Sequence, residues 1–197
     1  MKNKIFVRTL EMFMKYGVKS VSMDDISRML GISKKTLYQF IENKKDLVKS
    51  VVVHRMEEEV KEVGEIIEGS KDAIHEMVEI TRYVHKFLRK IKPSLIYDLQ
   101  KYHKEVWSMI NHHHKTYLHD VIKMNIERGQ SEGYYRDDLS PRIISNFYTQ
   151  LTLALTDETF FPLSEFTPPQ LHKELVHYHM YALTNSKGRK KLKSLEF

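Results

Sequence analysis

The stretch VSMDDISRMLGISKKTLYQFIENKKDL, residues 21–47, decides the fold at the amino-terminal end of this 197-residue chain. Ser22 precedes a periodic apolar segment and is followed three residues later by Asp25, which is the pattern of a helix N-cap. Gly31 ends that helix, and Ser33 is placed to cap the next one. Two short helices joined by a turn that contains glycine are typical of a helix-turn-helix motif.

Lysines occupy an unfavourable place in this stretch. If Ser33 is an N-cap, Lys34 and Lys35 lie in the first turn of the third helix, at the positive end of the helix dipole. Each such charge costs about 0.3–1 kcal/mol, whereas the second helix has Asp24 and Asp25 at the matching positions. A bound phosphate would reverse the sign of that penalty. The pattern therefore predicts that this helix begins beside a polyanion.

The third helix is predicted to have one buried and one exposed face. Leu37, Phe40 and Ile41 follow the i, i+3, i+4 spacing of a face that packs on a core. The side chains expected to point away from the core are Lys35, Tyr38, Gln39 and Glu42. Asn43 is predicted to cap a fourth helix with Asp46 as its partner, and Lys44 and Lys45 repeat the unfavourable first turn.

Residues 21–47 resemble the DNA-binding segment of the tetracycline-repressor (TetR) family of transcription factors, and the likeness extends over residues 5–47. It implies that Tyr38 contacts phosphate, that Gln39 reads a base, and that Lys44 binds phosphate. By the same resemblance, the start of the family's recognition helix, which contacts DNA, corresponds to Ser33, Lys34, Lys35 and Thr36. Two positions depart from the family pattern: Lys35 stands where many members have glycine, and Ile41 where many have phenylalanine.

Composition predicts an all-α fold. The chain is 41% hydrophobic and 29% charged, and it has only seven glycines and five prolines. The absence of cysteine excludes disulfides, thiolate metal sites and cysteine nucleophiles, and no apolar run is long enough for a membrane span. We expect a cytoplasmic protein of about nine helices, with a helix-turn-helix domain over residues 1–47 and a helical bundle over residues 48–197.

Charge is distributed unevenly along the chain. Residues 1–48 hold 10 Lys and Arg against 5 Asp and Glu, whereas residues 49–185 hold 17 against 20. A basic amino-terminal part on an acidic body predicts that a polyanion binds at one end, with double-stranded operator DNA as the partner. Residues 186–197 hold 5 basic residues against 1 acidic residue, and this tail is expected to be frayed.

The bundle is predicted to control the DNA-binding part. Apolar faces on both sides of the last two helices predict a homodimer, since one face packs on the domain and the other remains for a partner. The resemblance implies a pocket for an unidentified small-molecule effector, and the residues expected to bound it are Met56, Phe87, Trp107 and Phe147. From the residues alone, aromatic side chains of this kind are more often core filling. A constitutive DNA-binding factor without an effector is the alternative.

Metal-dependent and catalytic functions are not expected. The run HHH at residues 112–114 has poor ligand geometry on a helix, because neighbouring side chains are about 100° apart. Glu174 and His177 form one Glu-x-x-His copy of a di-iron carboxylate motif, and Asp72 with His75 only approaches a second copy. No phosphate-binding glycine loop or nucleophile elbow is present. We therefore predict a non-enzyme with no catalytic residues, no metal and no cofactor, and a di-iron carboxylate helical-bundle enzyme is the second alternative.

Overall fold

The computed structural model describes residues 1–195, and the part of the chain it describes contains helices and no strands. The helices are α1 (Lys2–Tyr16), α2 (Met23–Leu30), α3 (Lys34–Leu37), α4 (Lys44–Gly69), α5 (Ala73–Leu88), α6 (Pro93–Tyr102), α7 (Lys104–His113), α8 (His119–Ser131), α9 (Pro141–Ala154), α10 (Pro168–Leu183) and α11 (Ser186–Ser194). A π-helical segment, His114–Leu118, joins α7 to α8. The predicted all-α fold is confirmed.

The helix count exceeds the predicted nine for two reasons. The π-helical segment divides one long helix into α7 and α8. The carboxyl-terminal segment was expected to be frayed, and that expectation is wrong, because it forms α11. Asn185 caps this helix by accepting a hydrogen bond from the Gly188 N–H at 3.0 Å, Leu192 is buried, and Lys191 donates to the Asp72 carboxylate.

The chain forms two compact units. The first contains residues 1–61 and 90–110, and the second contains residues 62–89 and the chain from residue 111 onward. In the first unit α6 packs on α1, and the Lys92 N–H donates to the Met14 carbonyl at 3.2 Å. The two units are defined by which residues pack together. The predicted boundary at residue 47 instead divides the chain by function, into a DNA-binding part and a helical bundle. That functional division stays a prediction.

The main core of the second unit is built from α5, α8, α9, α10 and α11 and from the segment between α8 and α9. Its fully buried side chains include Ile74, Met77, Ile122, Tyr135 and Met180. Removing apolar surface of this kind from water contributes about 25 cal/mol per Å². The burial of these side chains explains why these helices pack side by side with one apolar face each turned inward.

A buried polar network ties α5 to α8 within this core. The Glu76 carboxylate, only 2% exposed, accepts hydrogen bonds from Arg128 Nη1 at 2.7 Å and from Asn125 Nδ2 at 2.9 Å. Arg128 also donates to the Glu132 carboxylate at 2.8 Å and to the Ser70 carbonyl at 2.9 Å. Because a buried charge is costly unless it is paired and hydrogen-bonded, this network depends on all its members.

Two histidines on α10 face the same core. His172 and His179 are buried, and burial lowers the pKa of each imidazole to about 4. The His179 ring packs against Tyr148 with 4.5 Å between the ring centroids. His172 Nδ1 and His179 Nε2 are buried without a hydrogen-bond partner in the described structure. The fold thus holds both rings in their neutral form.

Candidate nucleic-acid interface

The turn between α2 and α3 is built as the sequence predicts. Ser22 and Asp25 form a reciprocal capping box: Ser22 Oγ accepts from the Asp25 N–H at 3.1 Å, and the Asp25 carboxylate accepts from the Ser22 N–H at 2.9 Å. Gly31 follows α2 with φ of 68°, a left-handed conformation that favours glycine. The Ile32 N–H then donates to the carbonyl of the buried Ser27 at 3.0 Å, which closes the turn.

The recognition helix is shorter than its sequence suggests. Ser33 Oγ caps it by accepting from the Thr36 N–H at 3.0 Å, but the α-helix ends at Leu37. The chain continues as a tighter turn, in which the Gln39 N–H donates to the Thr36 carbonyl at 3.2 Å. Leu37 and Ile41 are buried as predicted, whereas Phe40 is only half-buried because the tighter turn rotates it away from the α-helical face.

The polar face predicted for DNA is exposed. Lys35, Tyr38 and Gln39 lie on the surface, and Tyr38 keeps 46% of its accessible area. Ser33 and Lys34 are exposed beside them, while Thr36 is half-buried. The structure therefore brings together the predicted recognition-helix residues on one short surface segment. A glutamine amide in such a position can pair with a base edge, and a lysine can meet a phosphate.

Lys34 has a partner within the chain. Its ammonium lies 2.8 Å from the Asp24 carboxylate at the start of α2, and this hydrogen bond raises the pKa of Lys34. The ion pair offsets part of the unfavourable helix dipole in the absence of DNA. A phosphate that binds here must compete with Asp24 for this lysine. Sequence reasoning missed the pairing because Asp24 and Lys34 belong to different helices.

The start of α4 differs from the prediction in detail. Asn43 caps the helix as expected, since its Oδ1 accepts from the Asp46 N–H at 3.0 Å. The Asp46 carboxylate does not return a bond to Asn43; it accepts from the Glu42 N–H at 3.0 Å. Lys45 and the nearby Glu105 carboxylate form an ion pair at 3.3 Å.

Lys44, the predicted phosphate ligand, is half-buried. Its Nζ lies 3.5 Å from the Lys19 carbonyl oxygen, in the loop between α1 and α2. Burial lowers the pKa of the Lys44 ammonium, and the carboxylates of Asp98 and Asp25 raise it. Lys44 is thus held at a defined place by the loop instead of extending freely into solvent.

The residues predicted to bound an effector pocket fall in both compact units. Met56 and Trp107 belong to the first unit, and Phe87 belongs to the second; all three are half-buried. Phe147, also in the second unit, is 60% exposed on α9. The assignment of these four residues to a pocket stays a prediction.

The histidine-rich and acidic segments form no metal centre in residues 1–195: no group of three or more His, Asp or Glu side chains there could hold a metal ion. In the run at 112–114, His112 is exposed, whereas His113 stacks on Tyr117 with 5.0 Å between centroids. Over residues 1–195, no helix has the length and apolar character needed to cross a membrane.

Comparison with known proteins agrees with this geometry. Residues 5–51 match the sequence profile of bacterial regulatory proteins of the tetR family. Residues 5–51 are thus similar to the tetR family of bacterial regulatory proteins. The TetR resemblance found in residues 5–47 is confirmed.

One relative and several solved structures are similar to this chain over more than the residues that match the family profile. YvaF, an HTH-type transcriptional regulator of Bacillus subtilis (strain 168), is 27% identical over 108 residues, which are 54% of this chain and 56% of YvaF. The solved structure of a TetR-family regulator from Agrobacterium tumefaciens has a TM-score of 0.70 at 15% identity. The match covers 93% of this chain and 97% of that regulator. A transcriptional regulator from Cytophaga hutchinsonii ATCC 33406 has a TM-score of 0.75 at 14% identity. The match covers 93% of this chain and 98% of that regulator. At these identities the structural matches show the fold.

Proposed function

We propose that this TetR-family protein is a one-component transcriptional repressor that acts in the cytoplasm. It binds a palindromic operator as a homodimer and releases it when a small-molecule effector binds. The observation that carries the proposal is the exposed surface of Lys35, Tyr38 and Gln39 at a helix start rich in lysine. Phosphate contacts there would position the protein, and the glutamine would supply base readout.

An exposed apolar stripe supports the homodimer. Ile143, Phe147 and Leu151 follow one another at spacings of one helical turn on α9 and are 53%, 60% and 43% exposed. Tyr178 on α10 is 71% exposed, while Leu171 and Leu175 on the same helix are buried. Contiguous apolar surface of this kind marks interaction sites, and a two-fold interface buries it twice.

Replacing Phe147 with glutamate is expected to dissociate the dimer. The change places a charge in the centre of the stripe, where an aromatic anchor contributes ~2 kcal/mol or more, so the dimer should weaken at least about 30-fold. Light scattering of the wild type at micromolar concentration should give the dimer mass. Phe160→Glu is the matched control, because Phe160 is 69% exposed but lies outside α9 and α10. A monomeric wild type would refute the proposed dimer.

The effector is proposed from the family likeness, and we expect an apolar or aromatic molecule. Such a ligand weakens DNA binding only by its differential affinity for two shapes of the protein. Native mass spectrometry of purified protein should detect a co-purified molecule, and adding it should release the operator. Operator affinity that no such molecule changes would favour the constitutive alternative.

Replacing Gln39 with alanine separates base readout from phosphate binding. We expect a loss of roughly 1–3 kcal/mol on an operator selected from random duplexes, with relaxed choice at one base pair in each half-site. The half-sites should lie one helical turn or a small multiple apart. The measurement is titration of the selected operator and a scrambled duplex at several salt concentrations.

Lys44→Ala is the companion variant in the same titrations. It should weaken all duplexes similarly and flatten the salt dependence by about one unit per subunit. If Gln39→Ala loses the same binding affinity for both duplexes, Gln39 does not read a base. If Lys44→Ala leaves the salt dependence unchanged, Lys44 is not a phosphate ligand.

A further inference from the structure

One buried carboxylate, that of Asp98 on α6, is directed at the loop between α1 and α2. Asp98 is 6% exposed, and its Oδ2 accepts a hydrogen bond from the Lys19 N–H at 2.8 Å. One helical turn later, the Tyr102 hydroxyl lies 3.3 Å from Lys19 Nζ, and its ring lies beneath the same ammonium. Two consecutive turns of α6 therefore hold both the backbone and the side chain of Lys19.

Gly17 makes this close approach possible. A Cβ atom at this position would lie 2.8 Å from Asp98 Oδ2 and 3.2 Å from Ser94 Oγ. The backbone of Gly17 also has φ of 80°, which L-residues rarely adopt. The loop and α6 thus fit each other at a site where no larger residue is tolerated.

The same loop residue reaches the predicted phosphate ligand. The Lys19 carbonyl oxygen lies 3.5 Å from Lys44 Nζ. Asp98 therefore contacts the backbone N–H of Lys19, and Lys44 contacts the backbone carbonyl of the same residue. Lys44 is half-buried, so the position of its ammonium depends on the neighbouring protein atoms as well as on solvent. The Asp98 charge also raises the pKa of Lys44 against the effect of burial.

We propose that Asp98 is a positioning residue for DNA binding, which holds the Lys19 loop and thereby fixes the Lys44 ammonium for a phosphate. This inference rests on the proposed DNA-binding function. Simple electrostatics predicts the opposite effect for an acidic side chain near a DNA site, since its removal should strengthen binding to a polyanion. The sign of the change is therefore decisive.

Asp98→Ala should weaken binding to the selected operator and to a scrambled duplex alike, by about tenfold. Asp98→Asn keeps an oxygen that can accept the Lys19 N–H, so its loss should be smaller. The matched control is Glu105→Gln, which removes an exposed carboxylate paired with Lys45 and Lys49 and should leave binding unchanged or tighter. Circular dichroism melts confirm that each variant is folded, and Asp98→Asn replaces Asp98→Ala if the latter is not.

A double-mutant cycle distinguishes positioning from a general structural effect. If Asp98 acts through Lys44, the loss caused by Asp98→Ala should largely disappear in a Lys44→Ala background. The same loss in both backgrounds, or tighter binding by Asp98→Ala, overturns the proposal. A wild type that binds selected and scrambled duplexes equally would instead refute the proposed operator recognition.

A second readout needs no DNA. Titration of the Lys44 side chain by NMR should give a lower pKa in Asp98→Asn than in the wild type, because the carboxylate that raises it is gone. The Lys34 ammonium, paired with Asp24, serves as the internal reference and should titrate as in the wild type.

Discussion

Replacing Arg128 with methionine is expected to lower the free energy of unfolding of the second compact unit by about 3–5 kcal/mol at pH 7. The change removes the guanidinium that donates to Glu76 at 2.7 Å and leaves that carboxylate buried with a 3% exposed side chain. An uncompensated charge in such a place costs far more than a lost surface ion pair. Urea denaturation followed by circular dichroism measures the loss.

Two further variants make this expectation specific. Arg136→Met is the control, because Arg136 pairs with Asp138 on the surface and its removal should leave the urea midpoint nearly unchanged. Glu76→Gln should reduce the cost of Arg128→Met, since no buried charge then remains unpaired. A cost for Arg128→Met no larger than that of Arg136→Met would show that the network does not stabilise the fold.

Mild acid is expected to destabilise the same unit through His172 and His179. Each folded-state pKa of about 4 lies below the unfolded value of 6.5, so the unfolded chain binds protons that the folded chain excludes. Their contribution to stability is complete above pH 6.5 and is lost as the pH falls towards 4. By pH 5 the loss should reach about 2 kcal/mol for each histidine.

Urea midpoints at pH 7, 6 and 5 measure this effect before most carboxylates titrate. His179→Phe keeps an aromatic ring against Tyr148 and should remove about a third of the pH dependence, because burial also lowers the pKa of His114 in this unit to about 4. His112→Phe changes an exposed histidine and should leave it intact. If stability is constant from pH 7 to 5, the two buried imidazoles do not limit the fold.

Local signals were sufficient for the helix-turn-helix. The Ser22 and Ser33 caps, Gly31 and the buried Leu37 act within a few residues, so their chemistry is readable from adjacent letters. The composition, with few glycines and prolines, likewise predicted an all-α fold. The same reasoning misjudged α11, because its stability comes from Leu192 and from Lys191 on a distant Asp72.

Periodicity also could not say which of two apolar faces is buried. On α9 it indicated two apolar faces, one for the domain and one for a partner, and only packing showed that Ile143, Phe147 and Leu151 are exposed. An amphipathic pattern reports spacing along one helix, whereas burial depends on the neighbouring helices.

Local sequence decided the nature and order of the residues that are predicted to face DNA, because helix caps, turns and short-range spacing are properties of neighbouring residues. The environment of those residues was decided by tertiary structure alone. Charged groups from separate elements meet only after folding. Asp24 pairs with Lys34, and Asp98 holds the Lys19 backbone that Lys44 contacts. Their effects on the lysines depend on distance and burial, and neither quantity is encoded in separation along the chain.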